Sequence, residues 1–195
     1  MISAVVLAAG ASMRMGRPKA LLTIGAKTFL QNIIEALHSA RILDVVVVLG
    51  SDAGTIREGM SWFDGKIVVN PAWQNGQLSS IIAGLDGVSR TGVHGVMICP
   101  VDHPLLSQGL LVGLLQAYWQ SRKRIIIPVC EGRRGHPVIF DASLFDALRS
   151  APGDVGARAV IRAHPGEVNE VAVTDRGVLS DIDTPEDYEA LRRIT

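Results

Sequence analysis

Short, continuous runs of apolar residues recur along the first two thirds of the chain. The runs are rich in valine and isoleucine, and polar residues do not alternate with them. Continuous runs of this kind are typical of strands that are covered on both faces. The predicted strands occupy residues 3–7, 45–49, 67–69, 96–99 and 125–129.

Between these runs, apolar positions follow the period of an α-helix. In residues 28–40 they recur at positions i, i+3, i+4 and i+7. Residues 78–88 and 107–120 show similar patterns, and Ser107 is suited to the N-cap of the second. Strands and helices alternate through about residue 125, which predicts right-handed βαβ units. We therefore predict an α/β fold, a three-layer sandwich around a mostly parallel twisted sheet.

The last third of the chain is less regular. Residues 130–140 read as two short strands joined by a turn at 133–135, a small β-hairpin excursion from the sheet. Asp141 is suited to cap the helical segment that follows it. The remaining predicted elements are strands over 168–173 and 178–182 and a helix over 184–194. No repeat or long linker divides the chain, so we expect one domain over residues 1–195.

The amino-acid composition argues against several classes of function. Lys plus Arg and Asp plus Glu both number 19, so an overall electrostatic attraction to nucleic acid or to an anionic membrane is not supported. Cys99 and Cys130 show no C-x-x-C spacing, which suits a reducing compartment. The chain begins without the features of a signal peptide, and no apolar run approaches the roughly 18 residues of a spanning helix. We expect a cytoplasmic protein.

The loop after the first predicted strand combines small residues with positive charge. Ligands of open α/β sheets bind at the carboxyl ends of the strands, where this loop, LAAGASMRMGRPKALL, lies. Its small residues and Gly10 let backbone N–H groups face a ligand, and Arg14, Arg17 and Lys19 add charge that suits a polyphosphate. The loop matches neither the P-loop nor the dinucleotide fingerprint. The alternative is a solvated surface loop with ordinary charges.

Two later segments carry candidate chemistry. In residues 70–85, Asn70 follows a predicted strand and Ser80 lies at the start of a predicted helix. An ordinary loop followed by an N-capped helix would also explain this segment. Asp102 lies just past an apolar run, where its carboxylate could bind Mg²⁺. The alternative is that the carboxylate caps the turn that follows. The adjacent His103 is better explained as a structural histidine whose hydrogen bonds are satisfied than as a functional one. Cys99 is better explained as a small buried apolar residue.

The stretch DIDTPED contains more acidic residues than the start of the predicted helix explains. Thr184 is suited to the N-cap and Pro185 to the first helical position, and the two acids after them favour the positive end of the helix. That account leaves Asp181 and Asp183, just upstream, unexplained.

The opening loop carries a resemblance to a known family. The pattern L-A-A-G-x-S-x-R-M-G-x-x-K-x-L at residues 7–21 resembles the signature of the MobA-like nucleotidyltransferases, and most of all the molybdenum cofactor cytidylyltransferases. The resemblance implies the Rossmann-like nucleotidyltransferase fold and a loop that wraps a nucleoside triphosphate. Arg14 and Lys19 would contact its phosphates. The other implied nucleotide contacts of the loop are Leu7, Ala8, Ala9, Gly10 and Ser12. GTP-using members typically have glycine where this chain has Ala9, so the resemblance favours CTP.

The other segments resemble the same family. N-P-x-W-x-x-G-x-x-S-S-x-x-x-G-L at residues 70–85 faces the nucleotide in that family, and C-P-x-D-x-P carries its metal-binding aspartate. The family's G-x-P segment lines the acceptor side. The resemblance implies nucleotide-binding roles for Asn70, Ser80 and Gly84, a metal-binding role for Asp102 and Asp183 with Asp181 as a weaker candidate, and an acceptor contact by His136.

The reaction implied is Mg²⁺-dependent transfer of CMP from CTP to the molybdopterin form of the molybdenum cofactor, with release of pyrophosphate. A transient contact with a molybdoenzyme would follow. Three alternatives stay open. The acceptor could be a sugar phosphate or an alcohol phosphate, or the protein could be a non-catalytic nucleotide-binding accessory of molybdoenzyme maturation. An oxidoreductase would need a cofactor site, and the sequence has no G-x-G-x-x-G to supply one.

Overall fold

The computed structural model describes residues 1–89 and 91–193. Its strands form one large sheet and one small hairpin. The strands are β1 (Ile2–Ala8), β2 (Thr23–Ile24), β3 (Lys27–Thr28), β4 (Val45–Leu49), β5 (Lys66–Val69), β6 (Gly95–Pro100), β7 (Ile125–Cys130), β8 (Arg133–Arg134), β9 (Val138–Asp141) and β10 (Val168–Ala172).

The α-helices lie on the two faces of the large sheet, and short 3₁₀ turns connect several of them to it. They are α1 (Phe29–Ser39), α2 (Ala53–Gly59), α3 (Gln77–Gly87), α4 (Gln108–Ser121), α5 (Phe145–Arg149), α6 (Ala157–Ala163) and α7 (Pro185–Arg192).

The large sheet is mixed but mostly parallel. Its order is β10-β7-β9-β6-β1-β4-β5, and β8 pairs with β7 outside this path. β1 is parallel to both β4 and β6, β5 is parallel to β4, and β10 is parallel to β7. β9 is antiparallel to both of its neighbours, β6 and β7. The parallel strands therefore end at one edge, on which the loops after β1 and β6 meet.

Side chains along each central strand face opposite sides of the sheet. In β1, Ala4 and Val6 join an apolar cluster that includes residues of α1 and α4, whereas Val5 and Leu7 join a second cluster with residues of α3. All seven residues of β1 are buried. The continuous apolar runs thus arise because both faces are covered by helices, as predicted, and the three-layer α/β fold is confirmed.

Most predicted elements lie where the sequence placed them. The five predicted strands correspond to β1, β4, β5, β6 and β7 within one or two residues at each end. Ser107 caps α4 by accepting the Leu110 N–H, and Thr184 forms a capping box with Asp187 at α7. Asp141 caps the short 3₁₀ turn that precedes α5. Ile194, the end of the predicted last helix, lies outside the described residues.

Two predictions of the last third are wrong in detail. The turn of the hairpin is at Glu131 and Gly132, which adopt φ of 52° and 74°, and not at 133–135. Residues 133–134 instead form β8, and β9 is an internal strand of the sheet. The strand predicted over 178–182 is absent, because a 3₁₀ turn spans Arg176–Leu179.

Within the described residues, no helix is long and apolar enough to cross a membrane.

Candidate active site

The loop after β1 folds back over the carboxyl edge of the sheet. Ser12 adopts a left-handed conformation with φ of 48° and begins a 3₁₀ turn over Met13–Met15. The Lys19 backbone N–H donates to Ser12 Oγ at 3.1 Å, and Lys19 begins a second 3₁₀ turn. This hydrogen bond closes the loop and fixes Lys19 above the ends of β1 and β6.

Lys19 is the centre of a charged cluster. Its ammonium donates to Asp183 Oδ1 and lies 4.0 Å from Asp102 Oδ2. Arg14 Nη2 lies 2.7 Å from the other oxygen of Asp183. The Lys19 side chain is only 12 % exposed, whereas that of Arg14 is 69 % exposed. The structure therefore brings two of the three predicted cations of the loop together with two of the predicted acids. Arg17 lies elsewhere, over an aromatic ring of α7.

The three acids at this edge have different protonation preferences. Burial raises the pKa of the Asp102 carboxyl above its ordinary value, and the nearby Lys19 charge only partly opposes this effect. Loss of surrounding water, and then the charges of Asp102 and Asp183, raise the pKa of Asp181. The hydrogen bond from Lys19 lowers the pKa of Asp183. Asp102 and Asp181 therefore repel each other and lack a full complement of positive charge.

The segment before α7 is tied to the rest of the site by its backbone. The Ile182 N–H donates to the carbonyl of Asp102 at 2.9 Å. Asp187 Oδ2 accepts from the backbone N–H groups of Asp183 and Thr184. The capping box of α7 therefore also fixes the position of Asp183.

Donor atoms of Asp102, His103 and Asp181 suit a divalent cation. One ligand atom from each lies within 4.8 Å of the others. Asp102 Oδ1 is buried and has no hydrogen-bond partner among the described residues. A buried carboxylate oxygen without a donor, facing other acids, is the arrangement that a bound metal ion satisfies. The residues present therefore fit a divalent metal, with Asp102 in the central place.

His103 differs from the satisfied structural histidine that the sequence predicted. It is 8 % exposed, and its Nδ1 has no hydrogen-bond partner in the described part of the chain. Its Nε2 lies 4.0 Å from Asp102 Oδ1, and its ring packs against His136 with 4.9 Å between the ring centroids. Burial lowers the pKa of His103, so the ring is a neutral donor or acceptor beside the acids.

Asn70 organises the second predicted segment from a buried position. Its Nδ2 donates to the hydroxyl oxygens of Ser79 and Ser80 at 2.9 and 3.1 Å, and its Oδ1 accepts the Ala72 N–H. These bonds join the end of β5, the 3₁₀ turn over Trp73–Asn75 and the start of α3. The side chain of Asn70 therefore holds Ser80 in place.

A cavity of about 510 Å³ lies between these segments, and we call it the first cavity. Nine of the predicted site residues line it: Leu7, Ala9, Gly10, Ser12, Arg14, Lys19, Ser80, Asp102 and Asp183. The other candidates do not line it. Ala8 and Asn70 are buried, Gly84 packs against Val5 and Val48, His136 lines another cavity, and Arg17 and Asp181 lie outside the wall. For Ala8, Asn70 and Gly84 the structure supports a role in shaping the wall.

The first cavity also has wall residues that the sequence did not assign. Trp73 packs against the apolar cluster beneath α3 and also lines the cavity. Gln74, Gly76 and Gln77 join it. The Asn-Gly turn signal at residues 75–76 could have indicated that this loop is exposed at the ligand edge.

A second cavity of about 590 Å³ adjoins the first and shares Gly76 and Gln77 with it. His136 lies in its wall, together with arginines of β8 and α6. Burial, and then the charges of His103 and Arg158, lower the pKa of His136 to about 4. The predicted acceptor residue is thus separated from the loop after β1, and His103 lies between it and Asp102.

An α/β sheet with a cationic loop and partly buried acids at its carboxyl edge fits a nucleotide-binding protein of the nucleotidyltransferase class. The comparisons assign the family: residues 4–168 match the MobA-like NTP transferase domain, and the chain belongs to that family. Asp181 and Asp183 lie beyond the matched residues.

Relatives of this chain have more than one name. Nicotine blue oxidoreductase of Paenarthrobacter nicotinovorans is 34% identical over 198 residues, covering 95% of this chain and 93% of that protein. Molybdenum cofactor guanylyltransferase of Rhizobium meliloti (strain 1021) is 31% identical, covering 94% of this chain and 87% of that protein. Rv0371c of Mycobacterium tuberculosis H37Rv, solved in complex with manganese, has a TM-score of 0.83 and 26% identity, covering 100% of this chain and 99% of that one.

Proposed function

We propose that the protein transfers CMP from CTP to a phosphate of a molybdopterin-type acceptor and releases pyrophosphate. The observation that carries the proposal is the first cavity, where Arg14 and Lys19 face Asp102 and Asp183 at the carboxyl edge of the sheet. Relatives named molybdenum cofactor guanylyltransferase support the acceptor class.

In this reaction an oxygen of the acceptor phosphate attacks the α-phosphorus of the triphosphate in line. A bond forms between them, the bond from the α-phosphorus to the bridging oxygen breaks, and pyrophosphate leaves with the electron pair. An acceptor phosphate is already anionic, so no general base is required. The protein contributes position and charge: Lys19 and Arg14 would contact the phosphates and stabilise the leaving pyrophosphate.

The ion pairs of Asp183 suggest how the triphosphate enters. In the structure Asp183 forms ion pairs with two cations of the loop, Lys19 and Arg14. A triphosphate that takes those cations releases the Asp183 carboxylate, which would then face Asp102. Asp102 and Asp183, with Asp181 and His103 beside them, would hold Mg²⁺. When bound, the metal would neutralise negative charge on the phosphates.

The preference for CTP is argued from Ala9. Ala9 lines the first cavity, at a position where GTP-using members of the family typically have glycine. Gly50 packs directly against Ala9 and Trp73, so Ala9 has no room to move away. A methyl group added to a fixed wall leaves less room for a base and favours a pyrimidine over a purine.

Calorimetric titration with CTP, GTP and ATP, each with and without Mg²⁺, tests the proposal. We expect metal-dependent binding with CTP tightest, and a shift toward GTP in Ala9→Gly. Tight binding of GTP or ATP instead would agree with the transfer chemistry but refute the proposed preference for CTP. Absence of binding by every triphosphate would refute the catalytic proposal. Formation of a dinucleotide from CTP and molybdopterin then tests the acceptor.

A second candidate, an oxidoreductase, is favoured by the name of the relative at 34% identity. The same titration with NADH and NADPH separates the two candidates. Binding of either dinucleotide in preference to all three triphosphates would support the oxidoreductase. Tighter, metal-dependent binding of a triphosphate would support the transferase.

A further inference from the structure

The Asp183 carboxylate lies between the two cations that the loop after β1 brings to the first cavity. Its Oδ2 lies 2.7 Å from Nη2 of Arg14, and its Oδ1 accepts a hydrogen bond from the Lys19 ammonium. A phosphate group pairs with arginine and lysine in the same way, through separate anionic oxygens on one centre. Asp183 therefore makes the contacts that a phosphate would make with Arg14 and Lys19.

Both sides of this contact are fixed by hydrogen bonds of the backbone. The Asp183 N–H donates to Oδ2 of Asp187 at 3.1 Å, and the Lys19 N–H donates to Oγ of Ser12 at 3.1 Å. Groups that are already held in position lose little conformational entropy when they pair. The ion pairs of Asp183 should thus form again whenever a ligand leaves.

Partial burial makes these pairs stronger than ordinary surface ion pairs. The side chain of Lys19 is 12 % exposed and that of Asp183 is 29 % exposed. Fully exposed pairs contribute little to stability, because water screens the charges and two long side chains must be ordered. Here screening is incomplete and one carboxylate serves two cations, so an anion that replaces Asp183 has to compensate both pairs.

The other two acids at this edge provide an internal contrast. Oδ2 of Asp102 lies 4.0 Å from the Lys19 ammonium. Asp181 forms no ion pair with any cation in the part of the chain that the structure describes, although its charge repels that of Asp102. Asp181 thus adds negative charge to the edge without occupying the cations, and Asp183 does both.

We propose that Asp183 is an intramolecular competitor of the phosphates: it pairs with Arg14 and Lys19, excludes weakly bound anions and pairs with them again as pyrophosphate leaves. The inference rests on the proposed function for the identity of the polyphosphate, and it adds a regulation of the same site. A polyphosphate that binds the loop cations must break two ion pairs and leave a free carboxylate beside Asp102 and Asp181.

Inorganic tripolyphosphate is a probe of this competition that carries no nucleoside. We would titrate it by calorimetry into the full chain with divalent cations removed by a chelator. Asp183→Asn should tighten its binding by roughly tenfold, because a neutral amide no longer competes for the cations. Asp183→Glu should stay closer to the wild type, since it retains a carboxylate. Both variants retain the backbone N–H that bonds to Asp187, and their melting temperatures check the fold.

Asp181→Asn is the matched control, because it removes one negative charge from the same edge without releasing a cation. It should tighten probe binding by about threefold or less, through long-range charge alone. Asp146→Asn, at an exposed acid that pairs with Arg149 outside the first cavity, should change nothing. Equal tightening by Asp183→Asn and Asp181→Asn would indicate a general charge effect and overturn the proposal. Unchanged or weaker binding by Asp183→Asn would overturn it as well.

A double-mutant cycle tests whether the competition uses both cations. In an Arg14→Gln background, the gain from Asp183→Asn should fall to about threefold, because one of the two ion pairs is already absent. An undiminished gain would show that the pair with Arg14 plays no part and would overturn a competitor that acts on both cations.

The probe also separates this inference from the proposed function. If the chain binds tripolyphosphate but no nucleoside triphosphate, the proposed function fails, and the comparison of Asp183→Asn with Asp181→Asn still decides whether Asp183 competes. If neither the wild type nor Asp183→Asn binds tripolyphosphate, the loop cations do not bind phosphates and the inference fails.

Discussion

The cluster around Lys19 contains more acidic side chains than basic ones. Asp102, Asp181 and Asp183 share the edge with two cations, and Asp183 uses both. Burial of Asp102 favours its protonated form in the folded state. For an acid whose folded pKa is raised, the stabilisation is present at low pH and is lost as the pH rises through the folded pKa. At neutral pH the Asp102 charge is therefore unfavourable for folding, which is a reason to assign it to function.

Asp102→Asn should reduce turnover by roughly a hundredfold or more, because the site loses a fixed charge that the reaction uses. The melting temperature should stay the same or rise, since the substitution removes a charge that burial disfavours. Turnover would be measured as pyrophosphate release and stability by calorimetry. Asp146→Asn, at an exposed acid, is the control and should change neither. Near-normal turnover, or a large fall in melting temperature, would remove the proposed role.

Lys19→Ala should weaken triphosphate binding by roughly tenfold to a hundredfold, because a nearly buried charge-assisted contact is lost. Binding of the acceptor should change much less. Isothermal titration measures both constants. Lys27→Ala removes an exposed lysine that pairs with Glu35 away from the site, and it should leave both constants unchanged. Equal weakening of both ligands by Lys19→Ala would contradict its assignment to the phosphates.

Helix α3 approaches the sheet closely at Gly84. A Cβ at this position would lie 2.3 Å from Cγ1 of Val5 and 3.1 Å from Cγ2 of Val48. Both valines are fully buried in central strands, so neither has room to move aside. The glycine thereby sets the height of α3, and α3 carries Ser80 into the wall of the first cavity.

Gly84→Ala should lower the free energy of unfolding by about 1–3 kcal/mol, because the added methyl group overpacks a rigid contact. It should also weaken CTP binding by displacing Ser80. Denaturant unfolding and titration measure the two effects. Gly113→Ala in α4 is the control: its Cβ would meet nothing within 4 Å, and the change should be neutral or stabilising by up to about 1 kcal/mol. Unchanged stability of Gly84→Ala would contradict the packing account.

Elements whose interactions are local were predictable from the sequence. The apolar runs of β1 and β4 and the caps Ser107 and Thr184 were read directly, because burial on both faces and capping each leave a local pattern. The grouping of Arg14, Lys19 and Asp102 in one cavity followed from the rule that ligands bind at carboxyl ends of strands.

Elements fixed by distant contacts were not predictable. Residues 178–182 have strand-like composition, but the Val178 carbonyl accepts the His136 N–H and the Ile182 N–H donates to Asp102. These contacts hold the segment as a turn between two loops, so no strand partner is available. The arginines of α6 were likewise missed, because only the folded chain brings the helix beside His136.

The site is assembled from segments that are far apart in the chain. Lys19, Asp102 and Asp183 come from the loop after β1, the end of β6 and the segment before α7. An unfolded chain cannot hold these groups together, so ligands of the site should bind the folded state alone. Their binding must then stabilise the fold by mass action.

Saturating CTP with Mg²⁺ should therefore raise the melting temperature. A ligand at a hundred times its dissociation constant adds about 2.7 kcal/mol, which corresponds to roughly 5–10 °C for a chain of this size. CTP alone or Mg²⁺ alone should give a smaller shift. Without the metal the phosphates would lie beside the uncompensated charge of the acids, and without the triphosphate Asp183 stays paired with Lys19 and Arg14. Asp102→Asn should retain part of the CTP shift and lose the increment that Mg²⁺ adds. A metal increment of the same size in Asp102→Asn would mean that the cation binds elsewhere, and the metal site would then have to be sought away from the acids around Lys19.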